Sequence, residues 1–222
     1  MPDVVVVIGA GPGLGQAIGQ AFVQHGDQVV LIARNEKRLR ETAVAVGGID
    51  MPVDVTDEPA LRAAFATIRS RYGDPTVLVH NPSLAVAAPA TETPLDALLS
   101  GFRLAAGSLL VAAQEVAPAM REAGRGTILV TGNSAALTGS TWSAALAAQK
   151  AAARNLAMSL AAELGPAGVR VVTITINGVL GQPGFELPRI AATYVGLAAL
   201  PSTASHQPEL RWPLEADVIP PH

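Results

Sequence analysis

Four glycines, Gly9, Gly11, Gly13 and Gly15, fall within seven residues. They follow the charge-free run Val4-Val5-Val6-Val7-Ile8 and precede a helical pattern that ends near His25. A strand, a glycine turn and a helix in that order bring the main chain close to a ligand, and the free N–H groups of the helix's first turn face an anion. Leu14 and Gly15 open that helix, so the pyrophosphate of a dinucleotide is the expected occupant. Polar residues recur where later apolar runs end: Arg34-Asn35, Asp54-Val55, His80-Asn81 and Asn133-Ser134. An acid after the second run would accept bonds from the ribose hydroxyls of NAD(H). Arg34, with Arg38 one helical turn on, suits the 2′-phosphate of NADP(H) instead, so NADP(H) is expected ahead of NAD(H). Asp54 could accept from an adenine amino group or serve as a turn residue. Asn133 and Ser134 could hydrogen-bond a substrate oxygen or cap their loop. His80 is titratable near the crevice, but a hydrogen-bonded structural histidine is the expected reading. No His/Asp/Glu grouping has metal-ligand spacing, and metal dependence is not expected.

These groups need elements to hold them. Val4–Ile8, Gln28–Ala33, Ile49–Val53, Pro75–Val79, Gly124–Thr131 and Val169–Ile176 read as strands, with one more short strand near Glu209–Trp212. Apolar on both faces, they suit a parallel sheet. Helical patterns separate them: one after Arg34-Asn35 to Val46, one containing Leu61, Phe65 and Ile68, then Pro94–Ala123, Trp142–Leu164 and Ile190–Leu200. Pro118 is expected to kink the last turns of Pro94–Ala123. Alternation of strand and helix predicts an α/β, Rossmann-type doubly wound parallel sheet in strand order 3-2-1-4-5-6. A nucleotide would lie across the switch point between the first and fourth strands. No repeat or linker divides the chain, so residues 1–222 are expected to form a single dinucleotide-binding domain, with a short C-terminal region over 177–222.

Charged residues make up 15% of the 222 residues and hydrophobic ones 50%. Much of the apolar excess is alanine on the two long helices, whose small side chains would let a partner's helices approach closely. A homodimer or homotetramer is the expectation. No uninterrupted apolar run reaches the ~18 residues of a spanning helix, so no membrane partner is expected. Asp3 stands where an export signal would be basic, and cysteine is absent, which together suggest a cytoplasmic protein. A formal net charge of −3 argues against nucleic acid.

From these residues the chain resembles the short-chain dehydrogenase/reductase family over at least residues 3–180. Gly9-(x)3-Gly13-Leu14-Gly15 is similar to its nucleotide loop and Asp54 to its adenine-contacting acid. His80-Asn81-Pro82-Ser83 stands where the family has Asn-Asn-Ala-Gly, and Asn81 alone matches. Asn177-Gly178-Val179 stands where the family has Pro-Gly, whose backbone reaches the nicotinamide amide. The family's catalytic set is Tyr-(x)3-Lys, a serine about thirteen residues before the tyrosine, and an asparagine on the preceding long helix. By that resemblance Lys150 is the lysine, which also binds the nicotinamide ribose. Leu146 falls at the tyrosine, Asn133 with Ser134 at the serine, and Leu104 at the asparagine.

Leucine has no proton to give, and losing a general acid costs about 10²–10⁴ in rate. Among substitutes, Tyr72 belongs to the far side of the sheet. Tyr194 could reach the site only if the tail folded over it. The segment after Asn177 is short, which suggests a shallow pocket. The resemblance therefore implies an NADP(H)-dependent oxidoreductase acting on a carbonyl or alcohol without the tyrosine. The alternative is a non-catalytic NADP(H)-binding oligomer that senses cofactor or supports a partner.

Overall fold

The computed structural model describes residues 2–204 and 207–213. Tail residues 214–222 lie outside the described residues. Seven strands form one parallel sheet: β1 (Val4–Ile8), β2 (Gln28–Ala33), β3 (Ile49–Pro52), β4 (Val77–His80), β5 (Gly126–Asn133), β6 (Val169–Ile176) and β7 (Glu209–Trp212), in spatial order β3-β2-β1-β4-β5-β6-β7. The order of the first six is the expected one, and the short tail strand adds to it by pairing parallel with β6. β1 sits between β2 and β4, and its five residues are all buried. That explains the absence of alternation: both faces of a central parallel strand meet helices.

One face carries α1 (Leu14–His25), α2 (Glu36–Val46) and α8 (Leu187–Ala199), packed on Val5, Val7, Leu31, Val79 and Leu129. The other carries α3 (Glu58–Tyr72), α5 (Ser108–Ala123) and α7 (Ala144–Leu164), packed on Val6, Ile8, Leu78, Ile128 and Val130. Each fully buried Val, Leu or Ile side chain stabilises the fold by about 1.5–3 kcal/mol.

Strands four and five lie later in the chain than the sequence suggested. Gly124 adopts a left-handed conformation that ends α5, so β5 starts at Gly126 and reaches Asn133, paired with Ile176. β4 extends to His80, which pairs with Ile8 and Val130.

The long helix over residues 95–123 also departs from expectation. It begins as α4 (Leu95–Phe102), passes through a π-helical turn over Arg103–Gly107 and continues as α5 without a break at Pro118. Pro118 lies on the exposed side. A π-helical irregularity not foreseen in the sequence falls at Arg103–Gly107, where α7 packs against the turn. Between Asp96 and Glu115 the charge is Arg103 alone, so by length and composition Leu95–Ala123 could cross a membrane, contrary to the expectation that no segment could. In this fold it packs on α3, α7, β4 and β5.

Candidate active site

The carboxyl ends of β1, β4, β5 and β6 border a crevice of about 270 Å³. Its floor is the turn after β1, and three of the four glycines there are required by the fold itself, Gly13 by its φ of +107°. Gly9 has φ +82°, and a Cβ on it would stand 2.7 Å from the Pro82 nitrogen. At Gly15 a Cβ would lie 2.3 Å from the Gly9 carbonyl oxygen. Gly11 and Gly13 face open space, with no atom within 4 Å of an added Cβ. Among the described residues no side chain caps the N-terminus of α1 at Gly13. An uncapped helix start beside open space, along the crevice floor, fits a phosphate-bearing ligand. Asn81 fastens the floor to β4: its Nδ2 donates to the Gly9 carbonyl at 3.0 Å, and its main-chain N–H donates to Ile8 at 2.9 Å.

The far wall comes from β5 and α7. Lys150 is buried, and its Nζ donates to the Thr131 carbonyl at 2.8 Å and the Pro82 carbonyl at 3.2 Å. It thus joins the loop just after β4 to the carboxyl-end part of β5. Burial pulls its pKa down to about 8. One turn earlier, Leu146 also lines the crevice. Gln149 between them holds the chain after β4: the Leu84 N–H donates to its Oε1 at 3.1 Å, and its Nε2 donates to the Leu84 carbonyl at 2.5 Å. Ser143, at the start of α7, donates to the Val86 carbonyl at 2.6 Å. These two contacts close the loop after β4 over α7.

Of the expected site residues, Gly9, Gly11, Leu14, Gly15, Asn81, Asn133 and Lys150 come together as lining of this crevice. Asn133 caps the short helix α6 (Ala135–Thr138), accepting from the Ala135 N–H at 2.9 Å. Ser134 lies outside the lining, as do Gly13 and Val55, the latter buried beside the end of β3. Val179 is exposed, while Gly178 and Leu180 on either side line the crevice.

Arg34, Asn35 and Asp54 lie together beyond the crevice, at the ends of β2 and β3. The Asn35 side chain accepts from the Arg38 N–H at 2.9 Å and caps α2. Asp54 makes the turn contact open to it: its Oδ1 accepts from the Thr56 N–H at 3.0 Å and the Thr56 hydroxyl at 2.7 Å. The Thr56 hydroxyl, then its N–H, and lastly the nearby Arg34 charge hold this carboxyl below its usual pKa. Both Arg34 and Asp54 are exposed.

Two residues weighed as proton donors are engaged elsewhere. Tyr194 is fully buried on α8, beneath the sheet, with its hydroxyl 2.7 Å from Thr131 Oγ1. Burial raises its pKa. The tail does not carry it over the site, because α8 packs on the face of α1. His80 is buried with its Nε2 2.8 Å from Ser108 Oγ, which itself donates to the Leu104 carbonyl at 2.5 Å. The single serine hydrogen is thereby committed, so the histidine Nε2–H donates. Burial, then the Lys150 charge, lowers the His80 pKa to about 3, leaving a neutral ring. Sequence reasoning missed the roles of Thr131, Ser83 and Leu180 in the lining. Their signal was position alone, at the carboxyl end of a strand.

The sheet order, the crevice at the β1/β4 switch point and the glycine floor define a nucleotide-binding α/β class. Residues 3–182 match the short chain dehydrogenase model, and the chain belongs to that family. It is 30% identical over 188 residues to D-threitol dehydrogenase of Mycolicibacterium smegmatis, covering 82% of this chain and 72% of that one. Sorbitol dehydrogenase of Cereibacter sphaeroides is 29% identical over 180 residues, with 80% and 70% covered. Among solved structures, a metagenomic short-chain oxidoreductase in complex with NADP superposes with TM-score 0.85 at 26% identity, covering 94% and 96% of the two chains. L-sorbose reductase of Gluconobacter frateurii, complexed with NADPH and L-sorbose, gives 0.77 at 26% identity, with 82% and 71% covered.

Proposed function

We propose that this protein is an NADP(H)-dependent oxidoreductase acting on a small carbonyl or alcohol, with Leu146 where the family's tyrosine stands. The observation that carries the reading is the crevice that joins the open glycine floor to Lys150. Gly11, Leu14 and Gly15 in it, with Gly13 adjoining, would hold the pyrophosphate, Lys150 the nicotinamide ribose, and the Gly178-Val179 backbone the nicotinamide amide. Arg34 and Asn35 would meet the 2′-phosphate, with Asp54-Val55 beside the adenine. A bound reduced nicotinamide supplies a hydride; the chain's part is to orient the acceptor and keep water out. Asn133, Ser83 and Thr131 line the crevice with groups that can hydrogen-bond a substrate oxygen, and Ser134 adjoins them. Leu146, Ile176 and Leu180 line it with apolar surface.

Calorimetry with NADPH and NADH, paired with Leu146→Tyr, tests this reading. NADPH is expected to bind at least tenfold more tightly, and Arg34→Asp to abolish that preference. Leu146→Tyr is expected to raise carbonyl reduction. A second reading, a cofactor-binding protein without turnover, is favoured by Leu146 and by the sequestered Tyr194. Tight NADPH binding with no reduction across a broad carbonyl panel would establish it. On either reading we place the protein in the cytoplasm as a homodimer or homotetramer, joined through the apolar side of α4, α5 and α7.

A further inference from the structure

We propose that the substrate of this site is an uncharged, apolar carbonyl compound or its alcohol, such as an aryl or short alkyl ketone, and not a polyol, a ketose or a keto acid. This rests on the oxidoreductase reading above, which puts Leu146 beside the reacting carbonyl, and it names the substrate class which that reading leaves open. Apolar side chains reach the crevice from separate elements: Leu146 from the first turn of α7, Ile176 from the end of β6 and Leu180 from the loop that follows.

The polar side chains of the crevice are largely engaged within the protein. Asn81 donates to the Gly9 carbonyl at 3.0 Å, Thr131 Oγ1 lies 2.7 Å from the buried Tyr194 hydroxyl, and Asn133 accepts from the Ala135 N–H at 2.9 Å. Lys150 gives two N–H bonds to main-chain carbonyls. What remains suits one substrate oxygen. A polyol carries a hydroxyl on every carbon, and each one turned to Leu146, Ile176 or Leu180 would give up its bond to water with nothing in return. Charge is sparse as well. Residues 81–94, 133–147 and 177–186 run on from the carboxyl ends of β4, β5 and β6, and their charged side chains are Glu92 and Glu186. Neither lines the crevice, and Glu186 accepts from the Gly184 N–H at 2.9 Å. Lys150 apart, a substrate carboxylate or phosphate would find no cation among the described residues of the lining.

The apolar wall is built in advance of any ligand. After β6 the loop folds on itself: the Gly181 N–H donates to the Phe185 carbonyl at 2.9 Å and the Phe185 N–H to the Gln182 carbonyl at 2.8 Å. Trp212 Nε1 donates to the Gly184 carbonyl at 3.0 Å and fastens the loop to β7. The Phe185 ring lies so close on Gly178 that a Cβ there would stand 2.1 Å from its Cζ. Leu180 is therefore held in place, yet it is exposed, as are Leu137, Trp142 and Val179 on the same edge of the sheet. Large apolar side chains left open beside a ligand crevice are the surface that an apolar ligand covers.

Calorimetry on the protein saturated with NADP⁺ reads ketone binding without turnover. Acetophenone and cyclohexanone are expected to bind about tenfold or more tightly than L-sorbose, D-threitol or pyruvate. From 2-butanone to 2-hexanone the affinity is expected to rise about threefold per methylene. Leu180→Asn changes an exposed position and is expected to weaken acetophenone about tenfold, and NADP⁺ by less. Leu146→Asn is expected to do the same from the α7 wall. L-sorbose or D-threitol bound as tightly as acetophenone, pyruvate bound more tightly, or a flat ketone series overturns the substrate class and leaves the oxidoreductase reading standing. An NADP⁺-loaded protein that binds none of these compounds overturns the substrate class too. A protein that takes up neither NADP⁺ nor NADPH overturns both.

Discussion

His80 is neutral in the fold and would be half-protonated near pH 6.5 in the unfolded chain. Between pH 6.5 and about 3 the unfolded state therefore binds the extra proton, and folding stability falls as pH drops through that window. The slope from this one residue approaches about 1.4 kcal/mol per pH unit. Denaturant melts of wild type and His80→Asn between pH 4 and 7 should diverge, the variant losing less stability on acidification; parallel curves would refute the assignment. Asn81 acts on a shorter path. Asn81→Ala leaves the Gly9 carbonyl without its 3.0 Å donor and should cost about 1 kcal/mol in a urea melt. Because that bond fixes the crevice floor, NADPH affinity should fall with it. His80 was recognisable in the sequence as a titratable group but not as a buried one. Its partner, Ser108, lies 28 positions away on another helix.

Elements in this chain are held at their ends by side chains from distant strands. Arg170 on β6 is buried, and its guanidinium donates to the carbonyls of Leu197 and Leu200, each at 3.1 Å, and of Pro201 at 2.6 Å. It thereby satisfies the carbonyl end of α8, which no glycine closes. Arg170→Leu should lower stability by ~2–4 kcal/mol, measured as the shift in urea midpoint, since three carbonyls lose a charged donor. β7 is held similarly: Glu209 takes both Arg154 bonds and accepts from the Thr175 hydroxyl at 2.7 Å. Strand β6, Val169–Ile176, was legible to the residue because Asn177-Gly178 breaks the apolar run at its end. The ends of β4 and β5 were less legible. Gly124 can begin a strand or end a helix, and its φ of +63° assigns it to the helix.

At the scale of the whole molecule, a row of apolar side chains is left on the surface. Leu95, Leu99, Phe102 and Leu110 are exposed along one side of α4 and α5, and Met158 is exposed on α7. Isolated exposed leucines are ordinary, whereas a row at helical spacing is the kind of surface a subunit contact would use. Sedimentation at micromolar concentration should give a dimer or tetramer, and Phe102→Glu should shift it toward monomer. A monomeric wild type would defeat this prediction.

Fold class and strand order could be read from the residues alone, because both follow from local periodicity. Buried parallel strands are uniformly apolar, helices repeat every 3.6 residues, and crossovers have one hand. The glycine turn was equally plain, since its four glycines are adjacent in sequence. Three outcomes required the packed chain. Gly9 and Gly15 serve close backbone approach, whereas Gly11 and Gly13 face open space. Tyr194, unplaced in the sequence, lies beneath the sheet on Thr131. Lys150, an alanine-helix lysine on the page, is aimed by two carbonyls 19 and 68 residues away. Periodicity carries no information about which distant carbonyl or hydroxyl a buried polar group will meet. That is settled when the layers close and each such group must find a partner inside the protein.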